Sequence, residues 1–267
     1  MNAPWSNAPI FYALAHIQFN SIPAMATYYP GIADRLRKTG YPDPQDEKQS
    51  VVSFGMTIGG NPDAQKVEPR EVLRWRFSNI QKTACFILLK DALIYQTTYY
   101  SGRDAFFAEV RKGLEVVHDI VELDFVDRIG VRFLDAVIPG EEETLDQYLV
   151  PEVLGLGRKL NEGLQHSMVE AVAQLTYGIL ISRAYTVLSQ RGCPPIPPEL
   201  LPLPLAIPAR FNECDGRFIT ILDNDCFIQE RNDFLLPNIM KTLKQLREGI
   251  GIAFDSSITT FAQERWK

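Results

Sequence analysis

The chain of 267 residues has little of what metal, redox or secreted proteins are built from. Its four cysteines, Cys85, Cys193, Cys214 and Cys226, sit at wide spacings with no CxxC, and its three histidines, His16, His118 and His166, are too scattered to complete a zinc pattern. Reduced, dispensable thiols are the expectation, and no metal or cofactor is implied. No GxSxG occurs, and the glycines of GLGRKLNEG at Gly155 to Gly163 are followed by no GKS or GKT, so neither a nucleophile elbow nor a phosphate loop is signalled. Positive charge is not in excess: the formal net charge is −6 and the pI about 5.2, which gives no bulk sign of a nucleic-acid or anionic-membrane binder. No uninterrupted apolar run approaches ~18 residues, and the first residues lack a basic stretch leading into an apolar one. A soluble cytoplasmic protein without membrane association is expected.

What is present is a core-forming chain, 46% hydrophobic and 22% charged, enough for one large domain or two fused halves. Near its midpoint lies FVDRIGVRFLDAVIP, Phe125 to Pro139. Phe125, Ile129, Val131, Phe133 and Val137 fall on one parity and Arg128, Gly130, Arg132 and Leu134 on the other, the alternation of a half-buried strand. Before it, Ile10 to Phe19 alternates as a strand, and a helix follows Pro23 up to Gly40. Tyr41 to Gln49 reads as a polar loop. Val51 to Ile58, Val72 to Ile80 and a hairpin over Ala84 to Leu89 and Leu93 to Tyr100 read as strands, and Arg103 to His118 as an amphipathic helix. After the central strand, Thr144 to Gly155 is helix-like with a break at Pro151. Ser167 to Tyr177 and Ile179 to Gln190 are strands, and CPPIPPELLPLPLAIP at Cys193 to Pro208 is a polyproline-like surface connector. A second hairpin is expected over Phe218 to Asp223 and Cys226 to Glu230, and a second helix over Pro237 to Ile250.

The order strand, helix, four strands, helix therefore occurs twice. It predicts an α+β fold of two pseudo-symmetric halves, residues 1–124 and 125–267, sharing a curved antiparallel sheet backed by helices. FILLKDALIY at Phe86 to Tyr95 aligns without gaps on FITILDNDCF at Phe218 to Phe227, in keeping with a duplication. In topology this resembles the saddle fold of the TATA-box-binding protein family, without that family's intercalating phenylalanines. The blocks APIFYALAHIQF, RIGVRFLDAVI and FDSSITTFAQERW also resemble the signature blocks of a sporadically distributed, uncharacterised prokaryotic family of about this length. That resemblance implies a prokaryotic or mobile-element setting, in which a regulatory or defence system is the expected context, and it carries no catalytic residues.

Clustered carboxylates at Glu141 to Glu143 and Asp223 to Asp225 fall where turns or helix starts are expected, where acidic residues are favoured structurally. His118 reads as a helix cap and His16 as a surface histidine. The constellation with most chemistry is an arginine set: Arg74 and Arg76 on one strand, Arg128 and Arg132 on another, with His16 and Gln18 near them on the helix-free face. Guanidinium forks recognise carboxylate or phosphate bidentately. Three readings stay open. The first is a non-enzymatic interaction module with a protein partner. The second is a nucleic-acid binder using the arginine face, and the third an enzyme whose site the sequence does not disclose. The alternative to a binding face is internal pairing with acids such as Glu170. An exposed face predicts that Arg74→Ala with Arg76→Ala leaves the melting temperature nearly unchanged.

Overall fold

A computed structural model describes residues 5, 7–51, 70–160, 163–189, 194–201, 203–212, 214 and 216–267. The fold is α+β, built on one large antiparallel sheet. Strand β1 (Ile10–Phe19) leads to helix α1 (Met25–Lys38). Then come β2 (Asp43–Val51), β3 (Arg70–Ser78), β4 (Ala84–Leu88), β5 (Ala92–Thr97) and helix α2 (Arg103–Val121). The central strand β6 (Phe125–Val137) is followed by two short helices, α3 (Leu145–Tyr148) and α4 (Pro151–Leu154), split by Pro151 as its missing N–H requires. Strands β7 (His166–Leu175), β8 (Gly178–Leu188), β9 (Phe218–Ile228) and the two-residue β10 (Asn232–Asp233) precede α5 (Leu236–Ser257) and α6 (Thr260–Trp266). Across the sheet the order is β2-β3-β4-β5-β1-β6-β9-β8-β7, with β10 also paired to β6. Strands β1 and β6 lie side by side in the middle, and each is flanked by the last long strand of its own segment, β5 or β9.

One face of the sheet is backed by α1, α2 and α5. Ala13, Ala15 and Ile17 of β1 and Ile129, Val131 and Phe133 of β6 meet Phe106, Val110, Leu114 and Val117 of α2 and Ile239, Leu243 and Ile250 of α5. Each fully buried Val, Leu, Ile or Phe among them contributes about 1.5–3 kcal/mol of transfer free energy. Helix α2 lies so close to β4 that a Cβ at Gly113 would stand 2.3 Å from the Phe86 ring. The helix ends on Glu122 in the left-handed region, whose N–H bonds to the His118 carbonyl at 2.8 Å. The His118 imidazole does not cap the helix, as expected from sequence, but stacks on Phe234 with ring centroids 4.4 Å apart.

Four expectations are corrected. Strand β6 is not half-buried: Arg132, Leu134 and Ala136 on its second face are as covered as its core face. The cover is the proline-rich connector, whose Ile196, Leu200, Leu203 and Ile207 pack with Phe211 on Leu134, Ala136, Ile219 and Ile221. Leu205 reaches on to Cys85 and Ile87 of β4, and the Ala206 backbone bonds to Lys82 and to the Thr98 hydroxyl. The connector is irregular, as its prolines dictate, but it roofs the sheet. The polar segment from Asp43 is strand β2 and not a loop, held by the ladder to β3. Phe218 to Ile228 is one strand and not a hairpin, so among the described residues the second segment has no fourth long strand, and its alignment with the β4–β5 hairpin joins unlike structures. The Asp223 to Asp225 run is therefore mid-strand, because arginines on both neighbouring strands receive its carboxylates. The strand expected at Val51 to Ile58 lies, after Val51, outside the described residues, as does Cys193.

Candidate functional site

The register places all four sequence-selected arginines on the roofed face. Arg76 lies opposite Ile87, which faces Ile94, which faces His16. His16 faces Gly130 and Gln18 faces Arg128, while Leu14, Arg132 and Asp225 form the adjoining row. The sheet gathers the set onto one face but divides it into three local clusters.

At the β2 edge, Arg74 and Arg76 both grip Glu47, with N–O distances of 2.7 Å each. Arg76 also donates to Ser78 Oγ at 2.9 Å and to Gln45 Oε1, and it is only 7% exposed. Burial pushes the Glu47 carboxyl up and the two guanidinium groups pull it down further, so its net pKa lies below the usual range.

In the centre, Arg128 Nη1 lies 3.0 Å from His16 Nδ1, with its guanidinium carbon 4.5 Å from the Phe227 ring centroid. A Cβ at position 130 would stand 2.9 Å from that guanidinium, so Gly130 makes the room into which Arg128 folds back. Burial, then the charge of Arg128, holds the His16 pKa down to about 4. His16 is thus a neutral, nearly enclosed imidazole and not the surface histidine expected. Asp225, 4.0 Å from Arg128, is pushed upward by burial against the pull of Arg128 and Arg132. Gln18 stands half-buried beside this group.

The third cluster joins sheet to roof. Arg132 bonds Asp223 through Nε at 2.7 Å and Nη2 at 2.6 Å, and Nη2 also reaches Glu199 of the connector at 2.8 Å. Burial works against its charge, and the bonds to Asp223 and Glu199 more than offset it, so the Arg132 pKa is raised. Arg183 of β8 sits 3.7 Å from Asp223 and pairs with Glu170 of β7 at 2.6 Å. Glu170 thus pairs with Arg183, which the sequence did not single out, and not with the selected set. Beside this network, between β7–β9 and the connector, opens a cleft of about 470 Å³. Met168, Tyr185, Pro195, Ile196, Pro197 and Ile221 form its apolar walls, and Arg183, Glu199 and Asp223 its polar end.

A second recess, of about 330 Å³, lies at Gly140 to Asp146, Arg158 and Arg217. Two of its acids are already engaged: Glu143 accepts from the Gly140 N–H and Tyr148 hydroxyl, and Asp146 from Arg158. The glycine-rich Gly155–Lys159 segment is a 3-10 turn against β7, since a Cβ at Gly157 would meet Ser167 at 2.8 Å. Among the described residues no group of three His, Cys, Asp or Glu could hold a metal ion, and no helix is long and apolar enough to cross a membrane. The thiols of Cys85 and Cys226 are pushed up to about 12 by burial. No protein-family model matches the chain, and no curated protein matches it.

Proposed function

We propose that the chain is a non-enzymatic interaction module, an adaptor or regulatory protein, that holds a protein partner in the cleft between β7–β9 and the proline-rich roof. The observation that carries this reading is the chemistry of that cleft. Its walls are apolar, and the ionised groups at its end are already matched to one another, so it offers shape and hydrophobic contact to side chains of a partner. The same matching weighs against the nucleic-acid alternative. A phosphate backbone would have to compete with Glu47, Asp223 and Glu199 for guanidinium groups that are largely enclosed. We read the two segments as a duplicated saddle, a reading supported by the central pairing of β1 with β6 and opposed by the undivided β9. The resemblance of the sequence blocks implies a prokaryotic or mobile-element setting, and a regulatory or defence system is the context we propose for it.

The test is capture from native lysate, with and without nuclease, by the wild-type chain and by Tyr185→Ser with Ile196→Ser. Both residues are partly exposed in the cleft, and Leu200, Leu203 and Ile207 still hold the connector to the sheet, so the fold should hold. A protein retained after nuclease and lost with the double variant is expected. Retention that depends on nucleic acid would instead favour the second reading.

A further inference from the structure

The two edges of the sheet are built differently. Strand β2 carries the sequence DPQDEKQSV, in which Pro44 and the acids Asp43, Asp46 and Glu47 discourage pairing with another strand. Strand β7, HSMVEAVAQL, has no proline and a single acid over ten residues. It pairs with β8 on one side and, among the described residues, with nothing on the other. Met168 is 63% and Val172 64% exposed, and Ala171 and Ala173 on the opposite face are exposed too. Its single acid, Glu170, is neutralised within the chain by Arg183 at 2.6 Å. A long, largely apolar edge whose outer N–H and C=O groups have no strand partner among the described residues is a template for strand addition.

We propose that the occupant of this edge is β7 of a second copy, paired antiparallel to form a two-fold dimer with one sheet running through both molecules. The edge offers no unmatched charge, so it selects an uncharged strand, and β7 itself meets that specification at equal concentration. A two-fold axis normal to the sheet keeps the two roofed faces on the same side and sets residues of equal parity opposite one another. Centring it on Glu170 would oppose two carboxylates. Centring it on Ala171 removes that conflict: Glu170 then faces Val172 of the second copy, Met168 faces Gln174, and the two Ala171 residues meet on the axis. The paired length is about 30 Å at ~3.3 Å per residue. Such a strip lies at the small end of specific interfaces, below about 1,200 Å² in total, so reversible association at micromolar concentration is expected. This inference uses the edge of β7, which shares Met168 with the cleft wall, and does not depend on the partner-binding reading.

Sedimentation velocity on the full chain from about 1 to about 200 µM reads the association directly. The wild type should pass from monomer to dimer, and Val172→Glu, which sets a second carboxylate against Glu170 of the other copy, should stay monomeric with an unchanged melting curve. Ala171→Cys provides an arm independent of that variant's folding. Directly opposed Cα atoms lie about 4.5–5.5 Å apart, within disulfide reach, so mild oxidation should give a covalent dimer that the wild type does not form. A wild type monomeric over the whole range overturns the proposal, as does a dimer that Val172→Glu leaves intact and Ala171→Cys fails to cross-link. A monomeric chain that still captures a partner through Tyr185 and Ile196 would remove the dimer and leave the interaction module standing.

Discussion

Asp135 is the group whose ionisation the fold opposes most plainly. It sits on the helix-backed face of β6, opposite Leu222 of β9 and close to Ile10 of β1, and is 7% exposed. Arg247 of α5 lies near enough to favour its charge, but forms no ion pair with it within 4 Å; that guanidinium is spread over the Phe133 ring at 4.9 Å. Burial therefore prevails and lifts the Asp135 pKa from 3.8 to about 7. Between those values the folded protein keeps a proton that the unfolded chain releases, so stability falls as pH rises through the window and levels off above it. A shift of about three units at ~1.36 kcal/mol each corresponds to about 4 kcal/mol. His16 acts in the opposite sense. Its pKa is lowered from 6.5 to about 4, so the unfolded chain binds the proton and stability is lost as pH falls through that range. The wild-type profile mixes the two slopes, and the comparison with Asp135→Asn separates them. The amide has the shape of the acid and cannot ionise. Urea melts at pH 5, 6, 7 and 8 should show the variant gaining on the wild type by about 2.7 kcal/mol between pH 5 and 8, the two units of the window that lie above pH 5, with unchanged m-values. A stability difference that stays constant from pH 5 to 8 would refute the argument that Asp135 is held protonated by burial.

Arg74→Ala with Arg76→Ala, harmless if the face were open, should now destabilise by about 3 kcal/mol, because Glu47, Ser78 and Gln45 lose the guanidinium that satisfies them. That corresponds to a melting temperature lower by about 6–12 °C in a scanning calorimeter. Gly113→Ala should cost about 1–3 kcal/mol by pushing α2 from Phe86, read from its urea midpoint. Cys85 and Cys226, with thiols raised to about 12, should resist alkylation at neutral pH until the chain unfolds, so early labelling of either in the native state would contradict their burial.

What was legible in the sequence was local. The limits of β1 follow from its alternation, α2 from Phe107, Val110, Leu114 and Val117, and the break between α3 and α4 from Pro151. Strand β2 was illegible because an edge strand needs no apolar periodicity; its ladder to β3 holds a segment that composition alone assigns to a loop. Strand β9 was divided because Asp-Asn-Asp is turn chemistry in any short window, and what overrides it, Arg132, lies 91 residues away in sequence. The arginines were placed on one face by parity, which is a local property. Their exposure is not local: it depended on where the connector lies, and prolines forecast an irregular path without saying that Ile196, Leu200 and Leu203 would anchor it over β6 and β9.

The charge balance of the roofed face follows from that placement. Arg74, Arg76, Arg128, Arg132 and Arg183 are met there by Glu47, Asp223, Asp225, Glu199 and Glu170, and His16 is held neutral. Among the described residues each of these five cations has a carboxylate partner, so a polyanion would have to displace one to reach a guanidinium, while the chain as a whole carries −6. The balance is nonetheless conditional, because Glu199 belongs to the connector and the other four acids to the sheet. Were the roof to lift, Arg132 would keep Asp223 and lose Glu199, and the face would gain one net positive charge beside an apolar cleft that had just widened. A partner that inserts under the connector would therefore do best with an acidic group to replace Glu199 and apolar side chains to replace Ile196 and Pro197.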